Sequence, residues 1–543
     1  MQFSITYSET IMIKAIKLPL TTLAIAVMSL SSTSALAEKT ANIEADWDSI
    51  ATKQIPEWLI DAKFGVYTHW GIYSVPAHGG PDYVRQMYSP KNRKGVYEYH
   101  TKKYGSLEEF GYTDFIPQFT APKFNASEWV GLMNEAGAKF GGIALVHHDG
   151  FLLWDSKYSR WNSKNMGPKK DIYGEIAAEV AKYPDMKLAA TFHHGRTFNY
   201  AYGELSDKGA DASKINKNWE ISDPELGDFF WKKGRDSEEQ FNSDWYGKIT
   251  EVVDTYKPDF IWFDGLSTSM KGGHPTEDNV TKAISYYYNE SAARDQDVVV
   301  ANKLAANFNF PDHVGLKSYE NGRDMPEHQP GYWLADRAIG YPWSYVNNKT
   351  YRDGPDYQVD SIIDFASRGG IMFLSLTPKG DGSIADEEIA IMKGIGRWMK
   401  VNGEAIYGTR RYSVYGEGPT KVTKFVKIKG KEKVKWDHRK LGAKDVRFTQ
   451  KDNTLYAIAL GWPEDNKLTI KTLNSDYAIS SEAKIENISL IGSDEKIKWH
   501  RDSKGLHLVY PEKKEGEFAH AFKIEVAGDL IVTEPDAEHI KKS

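Results

Sequence analysis

Cysteine is absent from this chain of 543 residues. The absence excludes disulfide bonds, thiolate nucleophiles and metal sites with cysteine ligands. It does not decide the cellular compartment, because exported proteins without cysteine are common. An excess of positive charge is also missing, since the formal net charge is -6. The charge balance therefore gives no indication of nucleic acid or of an anionic membrane as a partner.

Apolar runs long enough to cross a membrane are missing too. The apolar segment from Leu18 to Leu30 is too short to span a bilayer. Two lysines precede it, and the small-residue stretch that follows ends in Ala35-Leu36-Ala37. This order is typical of a cleaved signal peptide. We therefore predict a signal peptide over residues 1–37 and export to the periplasm or the extracellular space.

Apolar and aromatic residues are plentiful, at 41% and 13% of the chain, and the length allows more than one domain. Between residues 38 and 410, short apolar runs alternate with helical patterns, which is typical of a parallel sheet wrapped by helices. We predict a (β/α)8-like TIM barrel. Its later strand–helix units are irregular, so we do not expect a perfectly regular barrel. The runs are Phe64 to Thr68, Gly142 to Val146, Leu188 to Phe192, Phe260 to Phe263, Val298 to Ala301, Val314 to Tyr319 and Gly370 to Leu376.

The pattern changes after Gly408, where strand-like runs follow one another without long helical periods. We predict an antiparallel β-sandwich over residues 411–533 and a polar tail over residues 534–543. Such a domain either supports the barrel or binds carbohydrate. We expect support, because a Trp in a sandwich usually belongs to its core. The residues that bear on the second role are Trp462, Trp499 and His500.

In a TIM barrel the carboxyl ends of the strands form the active-site face. The apolar runs end in chemically active residues, which the barrel would bring to one mouth. A mouth of this composition suits a polyhydroxylated substrate. The residues are His69, Trp70, His147, His148, His193, Asp264 and Glu320.

Two of these residues are carboxylates on different strands. Asp264 ends an uncharged run, and a buried carboxylate without a partner is costly, so its position needs a reason. Either it is catalytic or, as Asp before Gly often does, it caps the next turn. Glu320 is a possible partner or a solvated loop residue. Together they fit glycoside hydrolysis, which needs two carboxyl groups with the pKa of Asp264 kept low and that of Glu320 raised.

The histidines could bind a metal or a sugar. Neighbouring side chains on a strand point to opposite faces, so His147 and His148 cannot easily share one ion. No H-x-H or H-E-x-x-H pattern occurs. We therefore predict no metal and no cofactor. Neutral imidazoles both donate and accept hydrogen bonds, which suits sugar hydroxyls.

Four motifs, taken in order, resemble glycoside hydrolase family 29, the α-L-fucosidases. They are the strand and loop from Lys63 to Pro76, the stretch from His147 to Ser163, Trp262-Phe263-Asp264-Gly265, and the barrel exit from Arg397 to Arg410. The resemblance implies a retaining exo-α-L-fucosidase. It implies Asp264 as the nucleophile and Glu320, in Ser318-Tyr319-Glu320, as the acid/base. Glu327 is a rival for the second role.

The resemblance also implies residues that hold the sugar, and three of them depart from the family pattern. Asp82 stands where the family usually has Glu-Trp, Lys303 stands where an Arg is usual, and His193 ends Thr-Phe-His where Tyr-Tyr-Ser is common. A Lys is a point charge rather than a planar fork, so its contact differs. The implied substrate-binding residues are His69, His147, His148, Asp82, Trp70, His193, Lys303 and Trp343.

The predicted activity is removal of terminal α-L-fucose from oligo- or polysaccharides. The predicted substrates include a sulfated fucan, because Arg196, Lys303 and Arg323 would supply cations near the pocket. One alternative is an α-L-galactosidase on the same scaffold, and another is a non-catalytic sugar-binding barrel. The predicted partner is a fucose-containing glycan, with no nucleic acid and no membrane span. The oligomeric state stays open.

Overall fold

The computed structural model describes residues 42–90, 95–202, 215–264, 266, 275–303, 310–322, 325, 331–351, 353–428 and 431–531. The signal peptide predicted over residues 1–37 and the tail predicted over residues 534–543 lie outside these ranges, so both stay predictions, as does export. Among the described helices, none combines the length and the apolar character that a membrane crossing needs.

Eight parallel strands close into a barrel in sequence order, which confirms the predicted TIM-like fold. The strands are buried on both faces, as expected for a parallel sheet covered by helices. Their apolar runs reflect this burial, and three of them have the predicted bounds. The strands are β1 (Phe64–Thr68), β2 (Phe140–Val146), β3 (Lys187–Phe192), β4 (Phe260–Phe263), β5 (Val299–Lys303), β6 (Leu316–Ser318), β7 (Trp333–Ala338) and β8 (Gly370–Leu376).

Helices form the layer around the barrel, and several begin at a side-chain cap. The side chains of Asn125, Ser237 and Thr276 each accept a hydrogen bond from a first-turn amide of the helix they precede. The helices are α1 (Trp47–Ile50), α2 (Glu57–Ala62), α3 (Tyr83–Met87), α4 (Val96–Tyr104), α5 (Ala126–Glu135), α6 (Ile172–Val180), α7 (Glu238–Tyr256), α8 (Glu277–Ala293), α9 (Pro355–Ser367) and α10 (Asp386–Asn402).

The barrel is irregular on one side, as the sequence suggests. Strand β6 has three residues and pairs with β7 only through Ser318 and Leu334. Strand β7 escapes prediction because Asp336 and Arg337 interrupt its apolar run. This irregular side carries the loop that begins at Glu320.

Antiparallel sheets follow the barrel. A five-stranded sheet (β15-β18-β13-β12-β9) and a three-stranded sheet (β14-β17-β16) share one apolar core, which includes Phe448, Leu506 and Phe522. Strands β10 and β11 form a separate pair. The strands are β9 (Arg410–Glu417), β10 (Thr423–Ile428), β11 (Lys431–Trp436), β12 (Val446–Lys451), β13 (Thr454–Ala459), β14 (Lys467–Ile470), β15 (Ile485–Leu490), β16 (Lys498–Asp502), β17 (Gly505–Val509) and β18 (His520–Val526).

A buried ionic cluster joins the sandwich to the barrel. Asp364 on α9 forms ion pairs with Arg368, the residue that follows this helix, and with Arg447 of β12, and His438 Nε2 lies 3.1 Å from its Oδ2. All four side chains are buried. Breaking such a pair leaves an uncompensated buried charge, so the cluster fixes the two parts firmly to each other. This contact agrees with a supporting role for the sandwich.

Candidate active site

The strand-end residues meet at the mouth of the barrel. Asp264 follows β4 and is 6% exposed, so its carboxylate lies deep in the pocket. Its backbone amide donates a 2.9 Å hydrogen bond to the carbonyl oxygen of Phe192, which continues the pairing between β3 and β4. The backbone is therefore held as in a strand, and the carboxylate faces the other strand ends.

Lys303 ends β5 and lies between the two predicted catalytic carboxylates. Its Nζ is 3.2 Å from Asp264 Oδ1 and 3.1 Å from Glu320 Oε2. Because both distances start at one nitrogen, these two oxygens are at most about 6.3 Å apart. Trp343 Nε1 donates a 3.2 Å hydrogen bond to the other oxygen of Glu320. The two acids thus face each other, close enough to act on the two sides of one glycosidic bond.

The charges of this group favour an ionised Asp264. Burial raises the pKa of the Asp264 carboxyl group, but the positive charge of Lys303, with a smaller effect of Arg196, outweighs burial and holds the pKa well below its ordinary value. Burial lowers the pKa of Lys303, but Asp264 and Glu320 raise it above its ordinary value, so the ammonium keeps its proton. Asp264 is therefore a carboxylate, which is the form that the predicted nucleophile requires.

The histidines around Asp264 are neutral. Burial lowers the pKa of His147 to about 4 and lowers the pKa values of His69, His148 and His193 well below the ordinary value. His148 Nδ1 donates a 2.6 Å hydrogen bond to the His193 carbonyl oxygen, so its Nε2 is an acceptor. That Nε2 lies 3.8 Å from Asp264 Oδ2, too far for a direct hydrogen bond. A hydroxyl group of a substrate could donate to either atom.

Three of the histidines lie close enough to share a metal ion. Ligand atoms of His69, His147 and His193 all lie within 4.8 Å of one another. The alternation that separates His147 from His148 does not separate these three residues, because each of them follows a different strand. Three histidines are a known zinc ligand set. The same neutral nitrogens are also suited to sugar hydroxyls, so the geometry alone is compatible with both.

Two predicted substrate contacts are almost completely buried. Trp70 is 1% exposed, its ring packs against Phe119, Phe124 and Trp129, and its Nε1 donates to the Lys379 carbonyl oxygen. Trp70 therefore faces the helix layer, where Trp129 of α5 lies, and not the pocket. His193 has no exposed surface, and its Nε2 lies 3.9 Å from Asp264 Oδ2. It therefore packs beside the predicted nucleophile, and its contact with the sugar stays a prediction.

The other predicted contacts lie around the pocket. His69 Nδ1 is hydrogen-bonded to Ser375 Oγ at 2.7 Å, and its ring is 5.0 Å from that of Trp343. Asp82 accepts a hydrogen bond from the hydroxyl of Tyr200, whose ring lies 4.9 Å from that of His148. His69, Asp82, His148, Lys303 and Trp343 therefore belong to one constellation.

Among the remaining predicted residues, Arg196 is exposed and acts on Asp264 through its charge. Arg323 and the rival acid Glu327 lie outside the described residues.

Sequence reasoning missed a third acid in this constellation. Asp336 on β7 is fully buried, and its Oδ1 accepts a 2.6 Å hydrogen bond from Ser318 Oγ. Burial raises the pKa of Asp336 to about 7, with Lys303 opposing the rise and Glu320 adding to it. The signal was available, because an acid within the run Trp-Leu-Ala-Asp needs the same explanation as Asp264.

Removing the charge of Lys303 should change how activity depends on pH. As the predicted nucleophile, Asp264 has to be ionised, so we expect activity to be lost as the pH falls through its pKa. In Lys303→Met the main opposing charge is gone, and the pKa of Asp264 should rise by at least about one unit. We expect the acid limb of the kcat/KM profile to move to higher pH. Lys303→Arg keeps the charge and should leave the limb near its wild-type position; an unchanged limb in Lys303→Met would contradict the ion pair.

The sequence matches the family described as Alpha-L-fucosidase over residues 30–404 and the Alpha-L-fucosidase C-terminal domain over residues 439–525. Among curated proteins, it is 28% identical to human tissue alpha-L-fucosidase over 476 residues, covering 86% of this chain and 87% of that protein. It is 27% identical to the rat tissue alpha-L-fucosidase over 481 residues, covering 87% of this chain and 89% of that protein.

The chain is also similar to solved structures of fucosidases. The alpha-fucosidase of Thermotoga maritima, solved in complex with fucose, superimposes with a TM-score of 0.66 at 26% identity, covering 89% of this chain and 99% of that one. Alpha-L-fucosidase isoenzyme 1 from Paenibacillus thiaminolyticus, at 19% identity and a TM-score of 0.63, shares the fold. The match thus extends over the barrel and the sandwich together.

Proposed function

Because the chain belongs to the α-L-fucosidases, glycoside hydrolase family 29, we propose that it is a retaining exo-α-L-fucosidase. Its substrate is a terminal α-L-fucose on an oligo- or polysaccharide, sulfated fucan included. The observation that carries the mechanism is Lys303, which joins the carboxylates of Asp264 and Glu320 within about 6.3 Å. Retaining enzymes keep their carboxyl groups about 5–5.5 Å apart, and inverting enzymes about 6.5–9.5 Å apart.

In the first step, Asp264 attacks the anomeric carbon as the bond to the leaving oxygen breaks. Glu320 donates its proton to that oxygen, so the aglycone leaves as an alcohol. The product is a fucosyl ester of Asp264. In the second step, Glu320 takes a proton from water, the water oxygen attacks the anomeric carbon, and the ester bond to Asp264 breaks. Fucose is released with the configuration it had in the substrate.

The surroundings support these two roles. Asp264 is buried and ionised, whereas Glu320 has 24% of its side chain exposed, which puts it nearer to the mouth, where an aglycone would leave. The negative charge of the carboxylates would stabilise transient positive charge on the sugar ring. The histidines nearby are neutral and do not oppose it. Lys303 lies between the acids and keeps their separation short.

The depth of the pocket supports exo action. His69, His147 and His148 are each 5% exposed or less, so they can be reached only from inside the pocket. Their neutral nitrogens offer both donors and acceptors to sugar hydroxyls. A chain end can enter such a pocket, whereas the interior of a polysaccharide cannot. The proposed site thus takes one terminal sugar.

Following the released sugar by NMR tests the proposal. We expect hydrolysis of nitrophenyl α-L-fucoside to give α-L-fucose as the first product, before mutarotation mixes the anomers. A β first product would exclude the retaining mechanism and the ester at Asp264.

The matched control is nitrophenyl α-L-galactoside, which adds one hydroxyl at C6. An apolar pocket rejects an added hydroxyl by about 10²-fold at most, so we expect a slower but measurable reaction. Faster hydrolysis of the galactoside would assign the enzyme to the other sugar. No release from either glycoside, with an intact fold, would favour the non-catalytic alternative.

A further inference from the structure

Strands β10 and β11 form a two-stranded sheet that we call the basic hairpin (residues 423–436). The chain as a whole has a net charge of -6, yet its residues 421–436 contain a single acid, Glu432, and seven lysines. The lysines are Lys421, Lys424, Lys427, Lys429, Lys431, Lys433 and Lys435. A local excess of one charge on a chain of the opposite charge creates a field that attracts anions.

The strand register brings some of these lysines together. Lys424 lies directly opposite Lys435, so both side chains leave the same face of the hairpin. Like charges at such a pair destabilise a sheet. Asp437 offsets part of this repulsion, since its Oδ2 accepts a 2.7 Å hydrogen bond from Lys424 Nζ. Both lysines are exposed, as is Lys427. An anion bound here would relieve the remaining repulsion.

The hairpin also presents an aromatic ring to solvent. Phe425 is 71% exposed, although Val434 opposite it and Trp436 farther along the same face are half-buried and buried. A large exposed apolar side chain among lysines serves no packing purpose.

Lys427 leaves the hairpin on the same face as Phe425, whereas Lys424 and Lys435 leave it on the other face, because successive strand residues point to opposite sides. The Phe425 ring could pack against the C–H face of a sugar ring, while lysines on the two faces of this narrow sheet bind charged groups of the same chain. The combination fits a glycan that carries negative charge.

The hairpin begins beside the loop that carries the proposed acid/base. Trp436 Nε1 donates a 3.1 Å hydrogen bond to the carbonyl oxygen of Met325. A Cβ atom at Gly322 would lie 3.2 Å from the Trp436 side chain. Glu320 and Gly322 belong to one short 3-10 turn. Because an acid/base faces the leaving oxygen, the aglycone would leave the pocket on the side of the hairpin.

We propose that the basic hairpin binds the aglycone of a sulfated polysaccharide whose terminal fucose occupies the pocket. The inference rests on the proposed function for the position of the sugar end. Lys303 cannot serve this purpose, since both carboxylates engage it. Sulfate esters keep their charge at every working pH, and strand lysines, which are flexible point charges, can follow their uneven spacing.

A binding experiment tests the role of the hairpin independently of hydrolysis. The variant Lys424→Gln/Lys427→Gln/Lys435→Gln removes three exposed charges and leaves Trp436 and its contacts in place. We expect its affinity for dextran sulfate to fall about tenfold or more, because three surface ion pairs together have about that effect. Wild-type binding should weaken with added salt. Neutral dextran should not bind either protein.

The matched control removes three exposed lysines from the smaller sandwich sheet and its turn, as Lys467→Gln/Lys498→Gln/Lys504→Gln. It changes the net charge by the same amount, so its affinity for dextran sulfate should stay near that of the wild type. Equal losses in the two variants would overturn the proposal, because net charge alone would then explain binding. Equally tight binding of double-stranded DNA and dextran sulfate by the wild type would also overturn it.

Kinetics separates this proposal from the proposed function. We expect the hairpin variant to lose about tenfold in kcat/KM on a sulfated fucose polysaccharide, again from three ion pairs, and to keep its kcat/KM on nitrophenyl α-L-fucoside. Equal values on the polysaccharide for both proteins would overturn the hairpin proposal while leaving the fucosidase intact. Absence of wild-type hydrolysis of the nitrophenyl fucoside would overturn the fucosidase, and with it the aglycone role of the hairpin.

Discussion

Replacing Asp264 by glycine is expected to lower kcat on nitrophenyl α-L-fucoside by about 10⁴-fold or more, since removing a nucleophile has effects of this size in other enzymes. The variant also leaves a space below the anomeric carbon. Azide can enter that space, form the new C–N bond and displace nitrophenolate. Because azide then attacks from the face that Asp264 occupied, the product should be β-L-fucosyl azide. Nitrophenolate release and NMR of the azide measure both effects.

Asp259 provides the control for this substitution, because it precedes the same strand at the opposite end of the barrel. It accepts a 2.8 Å hydrogen bond from the backbone amide of Leu188. Acids at that end of a TIM barrel contribute to stability rather than to catalysis. Asp259→Asn should therefore keep its activity and show no azide product. If the glycine variant of Asp264 retains about a tenth of wild-type activity, the assignment of Asp264 as the nucleophile is wrong.

The barrel could be predicted because its strands are apolar runs buried on both faces. The bounds of β1, β4 and β8 follow from uncharged residues and the turns that end them. Strand β7 could not be found in this way, because its polar residues Asp336 and Arg337 are stabilised by partners that sequence does not reveal. Asp336 bonds to Ser318, and Arg337 donates to the hydroxyl of Tyr357.

The site could be predicted as a set of residue types but not as a geometry. That His69 and Asp264 share a mouth follows from strand ends in a barrel. That Trp70 turns away from it depends on aromatic neighbours such as Phe119 and Trp129, which come from distant loops and helices. The burial of His193 likewise depends on the whole barrel. Neither could be decided from the residues adjacent in sequence.

The position of Lys303 is the clearest case of what sequence could not supply. As a departure from the family pattern, it suggested a changed contact with the sugar or with sulfate. Instead its Nζ lies 3.2 Å from Asp264 and 3.1 Å from Glu320. Three residues separated by many positions in the chain must meet for this to happen. Only the closure of β4, β5 and β6 into one sheet brings them together.

Replacing Glu320 by alanine should produce effects that depend on the leaving group. An unactivated glycan needs a proton on its leaving oxygen, and we expect its kcat/KM to fall by about 10²–10⁴-fold. A dinitrophenyl fucoside needs no such proton, so its kcat/KM should change little. Its kcat should still fall, because water lacks a base in the second step. Comparing the two substrates under steady-state conditions measures the difference.

Glu327 is the control, because it is the rival acid. Glu327→Ala should behave like the wild type on both substrates. If Glu327→Ala loses activity on the glycan alone while Glu320→Ala keeps it, the two assignments must be exchanged. The hydrogen bond from Trp343 Nε1 to Glu320 and the ion pair with Lys303 favour Glu320, since they hold its carboxylate toward Asp264.

Azide separates the two carboxylates by the anomer it produces. In Glu320→Ala the nucleophile is intact, so Asp264 still forms the fucosyl ester. Azide then displaces that ester from the opposite face, without needing a base, and we expect α-L-fucosyl azide together with a recovery of kcat on the dinitrophenyl fucoside. In Asp264→Gly the product should be the β anomer, because only one displacement occurs. The same anomer from both variants would mean that the two residues do not act in successive displacements.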